Sequence, residues 1–376
     1  VQRGWSWEWL MPFRGRTFFL FALLALLRCT PGALSQAASP EVLTMETLFL
    51  LLPRGGPAPD CSQAMRSIFL IGGVGNGNQI TTQVEMFDPE TDTIRRAVTL
   101  PTARLFFGAV SYNKKIYIMG GQDATGTALT TVEEYDPCSG SVRLMAVMPQ
   151  RLQGFVAGVS GDQIYLLSGS TTSSMQTGTL FNNVYRFSPS SGASGNWTTL
   201  TSNNAIVANI DMAGCTINGT LFFSTGRFYN DGTTQFTSDG YVIGSNTTTS
   251  LTEASFTQAR YGAAGICYRP QASDPSPDDP AALMLVGGST LANLSQPPTA
   301  IIASSVFDYY KAAPSFPDPN VVTAGVSLPA ARYSPAAEIS YNRRRLYVFG
   351  GASAVNVPTD TIYSVDLANP TASPWQ

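Results

Sequence analysis

One short pattern occurs six times in this chain: an apolar run of three or four residues with glycine directly or closely after it. It stands as IFLIGG from residue 68, IYIMGG from 116, IYLLSG from 164, LFFSTG from 221, LMLVGG from 283 and LYVFGG from 346. The first three copies lie 48 residues apart, and Leu52-Pro53, Leu100-Pro101 and Met148-Pro149 keep the same spacing. A fixed period of this length means that the chain stacks one supersecondary unit, each copy burying its apolar face on the next.

Within each unit a run rich in β-branched and aromatic residues follows the glycines, as in VEMFDP (84–89), VEEYDP (132–137) and NVYRFSP (183–189). Asp or Ser before Pro starts a turn and stops a strand ladder. A further apolar run precedes the glycines, such as FFGAVSYN (106–113), and a fourth follows the turn, such as TIRRAVTLP (93–101). Four short strands per unit predict an all-β chain of six propeller blades. Gly72, Gly73, Gly120, Gly121, Gly287, Gly288, Gly350 and Gly351 are expected to be scaffold, because glycine permits positive φ and close backbone approach at a strand end. The stretch GGVGNGNQ (72–79) leads into a strand with no helix behind it, which argues against a phosphate loop.

The order of these elements resembles the kelch repeat: an apolar run closed by Gly-Gly, an aromatic strand ending in Asp-Pro, then Leu-Pro and an Arg. The resemblance runs from Leu52 to the C-terminus and implies a six-bladed kelch-type β-propeller with four antiparallel strands per blade. The tryptophan that it implies in the outer strand is present as Trp197 and Trp375, with Ile94 and Val142 in the matching places elsewhere. Residues 58–65 (APDCSQAM) are expected to form the innermost strand of the first blade, and 45–53 (METLFLLLP) an outer strand that closes the ring. The alternative is that this sequence is part of a longer protein.

Residues 11–35 combine Met11, two arginines, an apolar run from Phe18 to Leu27 and a small-residue site near Ser35, the pattern of a secretory leader too short to span a bilayer. Residues 1–35 are therefore set apart from a propeller domain of residues 36–376, expected to be secreted or extracellular with no membrane span in the mature chain. In an oxidising compartment Cys61, Cys138, Cys215 and Cys267 become disulfide candidates with three possible pairings. Repeat alignment places Cys215 and Cys267 on the innermost strands of neighbouring units, so they are the pair to test first. Asn196, Asn218, Asn246 and Asn293 begin glycosylation sequons.

The chain contains no histidine, which removes the commonest general base and most zinc and copper sites. Secreted copper radical oxidases of the galactose oxidase type are similar in having a kelch-like propeller, but their copper needs histidines this chain lacks. No metal, cofactor or catalytic residue is expected. A net charge of −3 with only 12% charged residues also argues against nucleic acid, since no basic stripe exists to release counterions. Arg343-Arg344-Arg345 reads as a solvated hairpin tip.

Arg104, Arg151, Arg260 and Arg332 stand where the loop from an outer strand leads into the next innermost strand. Converging at one mouth of the channel they would seek carboxylates, sulfates or phosphates. The reading is an extracellular protein- or glycan-binding module, its ligand an acidic protein segment or anionic glycan; the bland alternative is that each Arg braces adjacent strands. A sialic-acid mutarotase-like enzyme would need paired carboxylates, and Asp211, Asp239, Glu253 and Glu338 are scattered. A lectin using Tyr229 or Tyr241 is a third reading.

Overall fold

The computed structural model describes residues 61–75, 79–172, 181, 183–200, 210–217, 220–224, 228–230, 233–235, 238–242, 247–250, 260–268, 282–290, 302–311, 322–354, 357–369 and 373–376. Among the described residues the structure is all-β apart from one turn of helix, α1 (Cys61–Ala64).

The first sheet holds β1 (Ile68–Ile71), β2 (Gln83–Asp88) and β3 (Thr93–Thr99). The second is β4 (Gly108–Tyr112), β5 (Lys115–Met119), β6 (Val132–Asp136) and β7 (Ser141–Leu144). The third is β8 (Val156–Ser160), β9 (Gln163–Leu167), β10 (Val184–Ser188) and β11 (Asn196–Leu200). The fourth begins with β12 (Ala213–Ile217) and β13 (Thr220–Ser224), makes a side hairpin of β14 (Phe228–Asn230) and β15 (Thr233–Gln235), and ends with β16 (Ser238–Val242) and β17 (Thr247–Ser250). The fifth has β18 (Ala264–Tyr268) and β19 (Ala282–Val286), a side pair of β20 (Ser289–Thr290) and β21 (Ile302–Ala303), then β22 (Phe307–Lys311) and β23 (Val322–Ala324). The sixth has β24 (Ala336–Ser340) and β25 (Arg345–Phe349), a side pair of β26 (Ala352–Ala354) and β27 (Val357–Pro358), and β28 (Ile362–Asp366). All ladders are antiparallel, and the four-stranded sheets are consistent with propeller blades.

The strands β5, β9, β19 and β25 are almost wholly buried, which is why the sequence writes them as unbroken apolar runs: β5 and β9 share the burial of Ile116 to Met119 and Ile164 to Leu167. Their side chains pack alternately on the sheets before and after. Val84, Ile118 and Tyr135 join the first sheet to the second, and Tyr117, Met119, Leu166 and Phe187 join the second to the third. Each such side chain contributes about 1.5–3 kcal/mol by leaving water. Met284, Phe307, Leu346 and Val348 unite the fifth and sixth sheets. The sixth returns to the first, where the Phe87 ring packs edge-on against Tyr347 and Phe349 at 5.2 and 5.4 Å between centroids.

Two sheets depart from four strands. In the sixth, Gln376 exchanges two backbone hydrogen bonds with Ser364 of β28, at 3.0 and 2.9 Å, on the edge away from β25. In the first, the expected innermost strand over 58–65 is corrected: Cys61–Ala64 is helical, and residues 58–60, like 45–53, lie outside the described residues. Cys-Ser-Gln-Ala contains no β-branched or aromatic residue to favour a strand, and its surroundings hold the turn in place. Cys61 is bonded to Cys138 in the Asp-Pro turn of the second sheet. The Gln63 amide donates to Asp88 at 2.9 Å and accepts from Arg95 at 3.0 Å.

Candidate functional site

Three of the four arginines are interior. Arg104 has no exposed surface; its guanidinium pairs with the equally buried Glu133 at 2.8 Å and donates to the Gly120 carbonyl at 2.8 Å. Burial pulls its pKa down, and the Glu133 charge opposes that. Arg332 makes the corresponding brace in the sixth sheet, donating to the Thr361 and Tyr363 hydroxyls at 2.6 and 2.9 Å with its guanidinium over the Tyr363 ring. Arg260 is buried and donates to the Leu285 carbonyl. These side chains tie the start of an innermost strand to the second and third strands of the same sheet.

Arg151 is exposed and lies one position out of register with the others. The Gly73 amide donates to the Arg104 carbonyl, and its counterpart Gly121 donates to the Leu152 carbonyl. Leu152, fully buried, therefore takes the bracing place in the third unit, and the expected ring of four equivalent arginines is corrected to three buried braces and one surface residue. The glycines explain why the register is tight. Gly121 has φ +88°, and a Cβ there would lie 2.4 Å from the Leu105 carbonyl oxygen.

A chain of backbone bonds runs beside these braces. Gly154 donates to the Phe106 carbonyl, Asp211 to Gly154, Gly262 to Asp211 and Ser334 to Gly262, at 2.8 to 3.0 Å. All five residues have φ between +45° and +63°, and each sits two positions ahead of an innermost strand. Among the described residues the chain is open at the first sheet, between the Ser334 carbonyl and the Phe106 amide.

The same gap continues inward as a cavity of about 380 Å³, lined by Phe69 and Ile71 of β1, Ala109 and Ser111 of β4, Glu338 of β24, and Arg66. The hydrogen-bond alternation explains it. Gly72 donates to Gln83, so Leu70 and Ile68 face β2, whereas the N–H and C=O of Phe69 and Ile71 face the cavity. In the second sheet the matching residues, Tyr117 and Met119, pair with β4.

Ala109 and Ser111 are exposed, although their counterparts Ala157 and Val159 are packed against the second sheet. Glu338 stands where other innermost strands place Val110, Gly158, Cys215 and Ile266, facing the next sheet. The residue is exposed, and desolvation, opposed in part by the hydrogen bond its carboxylate accepts from the Ile339 amide, pushes its pKa up.

The second sheet with its leading loop is also where a known family is recognised. Residues 103–149 match the family model described as Kelch motif. The match begins beside Arg104 and ends after β7, so it covers one complete sheet with its arginine brace, and it supports a kelch-repeat family. No curated protein matches the chain. Kelch motifs suggest a protein-binding propeller module.

In this kelch unit the most elaborate polar group is structural. Tyr117 donates to Glu134 at 2.7 Å, and Arg143 grips the same carboxylate with two bonds at 2.7 and 2.9 Å.

The remaining sequence candidates are spread apart. Asp211 is buried in the backbone chain. Asp239 and Tyr241 lie on β16 and Tyr229 on β14; Glu253, Asn218, Asn246 and Asn293 fall outside the described residues. Asn196 opens β11 and is exposed. Cys215 and Cys267 form the expected disulfide between neighbouring innermost strands, and Cys61 with Cys138 forms the second. Among the described residues no cluster of three His, Cys, Asp or Glu could hold a metal, and no helix is long and apolar enough to cross a membrane.

Proposed function

We propose that this chain is a secreted, six-bladed kelch-type propeller that binds a partner protein in the extracellular space, and that it does so at the cavity between β24 and β4. The observation that carries the reading is that cavity: polar and charged groups (Arg66, Ser111, Glu338) and the apolar Phe69 and Ile71 line it together, where the described residues of the other neighbouring sheets pack directly on one another. A concave site with a few placed polar groups is the usual form of a binding pocket. Two disulfides fit an oxidising compartment. The acidic-ligand version at the arginines has less support, since a guanidinium consumed by Glu133 or by carbonyls is not offered to a ligand.

The test is affinity capture from extracellular fluid with the oxidised chain and with a cavity-filled variant, Ala109→Trp. Capture of one specific protein by the first and not the second supports the reading. Equal capture by both removes the cavity as the site.

A further inference from the structure

We propose that the gap between β24 and β4 is a strand-addition site, in which an extended segment of the partner protein inserts antiparallel to β1 and completes the first sheet. This rests on the protein-binding reading above and names what the cavity accepts. Main-chain bonds give such a site its affinity, and side-chain pockets give its selectivity.

The other five sheets define the occupant. Their innermost strands read GAVSY, VAGVS, AGCTI, AGICY and AAEIS. The second position is always Ala or Gly, because neighbouring innermost strands nearly touch: a Cβ on Gly265 would lie 2.6 Å from the Gly214 amide nitrogen. The first position is Gly or Ala in every strand but β8, which has Val156, for a related reason, since a Cβ on Gly108 already meets the Phe155 ring at 2.5 Å, and Phe107 is the ring that stands at this place beside the gap. Two residues ahead of the strand, the open backbone chain asks for a residue with positive φ, its N–H given to Ser334 and its C=O to Phe106; glycine suits this best. With the ladder of β4 on β5 as template, the first and third strand positions lie opposite Ile71 and Phe69.

The fourth position sets the charge. Cys267, fourth in its strand, meets Cys215, third in the strand of the preceding sheet. By the same relation the fourth residue of the inserted strand meets Glu338, third in β24, and covers its carboxylate. A lysine or arginine there neutralises a charge that burial would otherwise leave unpaired. The partner segment thus has the form Gly, any residue, two small residues, an apolar residue, then Lys or Arg. The chain's own hairpin position is taken, because the residues directly before β1 are held in α1 by the Cys61–Cys138 bond and by Gln63.

The experiment uses the full oxidised chain and a fluorescent heptapeptide of sequence Gly-Phe-Ala-Gly-Val-Lys-Ser, followed by anisotropy. Saturable binding is expected. Replacing the second small residue of the peptide by Leu, or Ala109 by Trp in the protein, weakens it at least about tenfold. A peptide with Glu for Lys binds poorly to the native chain and regains affinity with Glu338→Lys. The Phe69 and Ile71 amides gain protection from exchange when peptide is added.

No binding, or binding indifferent to the Leu and Glu peptides, overturns strand addition. Full protection of both amides before any peptide is added overturns it as well, because the chain then covers its own edge. Loss of partner capture in Ala109→Trp alongside failure of the peptide would leave the protein-binding reading standing and this one refuted.

Discussion

The Asp211 amide donates to the Gly154 carbonyl at 3.0 Å, two left-handed residues that precede the innermost strands of the fourth and third sheets. The same bond recurs between each neighbouring pair from Phe106 to Ser334. A backbone contact repeated without side chains shows how closely the innermost strands approach, and it marks where their succession is interrupted.

Arg104 and Glu133 form a pair with no exposed surface, so removing either partner strands a buried charge. Arg104→Met or Glu133→Gln alone is expected to cost about 3–5 kcal/mol, while Arg104→Met with Glu133→Leu together costs much less. Urea unfolding of the three variants checks this. Equal losses in single and double variants would show that the pair is not the bracing element.

Gly121 and Gly126 both have positive φ, +88° and +81°, but only the first is crowded. Gly126→Ala should cost about 1–2 kcal/mol, the left-handed penalty for a residue with a Cβ. Gly121→Ala adds contacts at 2.4 Å to the Leu105 carbonyl and 2.8 Å to Phe107, so its loss should be clearly larger in the same thermal melt.

Removing the Cys215–Cys267 bond by a double Ser substitution should cost about 2–5 kcal/mol, since it frees two neighbouring innermost strands in the unfolded chain. Peptide mapping of the unreduced protein should recover Cys215 with Cys267 and Cys61 with Cys138.

Two carboxylates set opposite pH dependences. Burial works against the Asp136 charge, but Lys115, Ser139 and backbone amides outweigh it and lower the pKa to about 2. A depressed folded pKa gives stability that is present above the unfolded value of about 4 and lost as pH falls toward 2; Asp136→Asn should flatten that acid limb. Glu338 is raised instead, so the folded chain holds its proton more tightly. Its favourable contribution exists below the unfolded pKa and is lost as pH rises through the folded one. Glu338→Gln should therefore raise the melting temperature at neutral pH, with the gain shrinking in acid.

The repeat was legible in the sequence because burying β5, β9, β19 and β25 demands unbroken apolar runs, and the crowded turns after them demand glycine. The Cys215–Cys267 bond was legible for the same reason, as register follows from the period. Three features were not. MPQR carries its arginine one residue nearer the Met-Pro than LPTAR does, so the period of 48 already sets Leu152 opposite Arg104, a one-residue offset that the shared Arg signature hides and the hydrogen bond from Gly121 to Leu152 makes plain. The helix at Cys61–Ala64 is fixed by long-range partners, Cys138, Asp88 and Arg95, that no local pattern shows. Glu338 looked like one of several scattered acids, and its setting depends on a neighbouring strand position in another sheet.

Amide hydrogen exchange in the free, oxidised chain tests the central claim most directly. Tyr117 and Met119 donate to β4, whereas Phe69 and Ile71 occupy the same places in the first sheet with their amides turned to the cavity. The account predicts slow exchange at Tyr117 and Met119 and exchange faster by orders of magnitude at Phe69 and Ile71. Equally slow exchange at all four would contradict it, because the first sheet would then already possess its innermost strand.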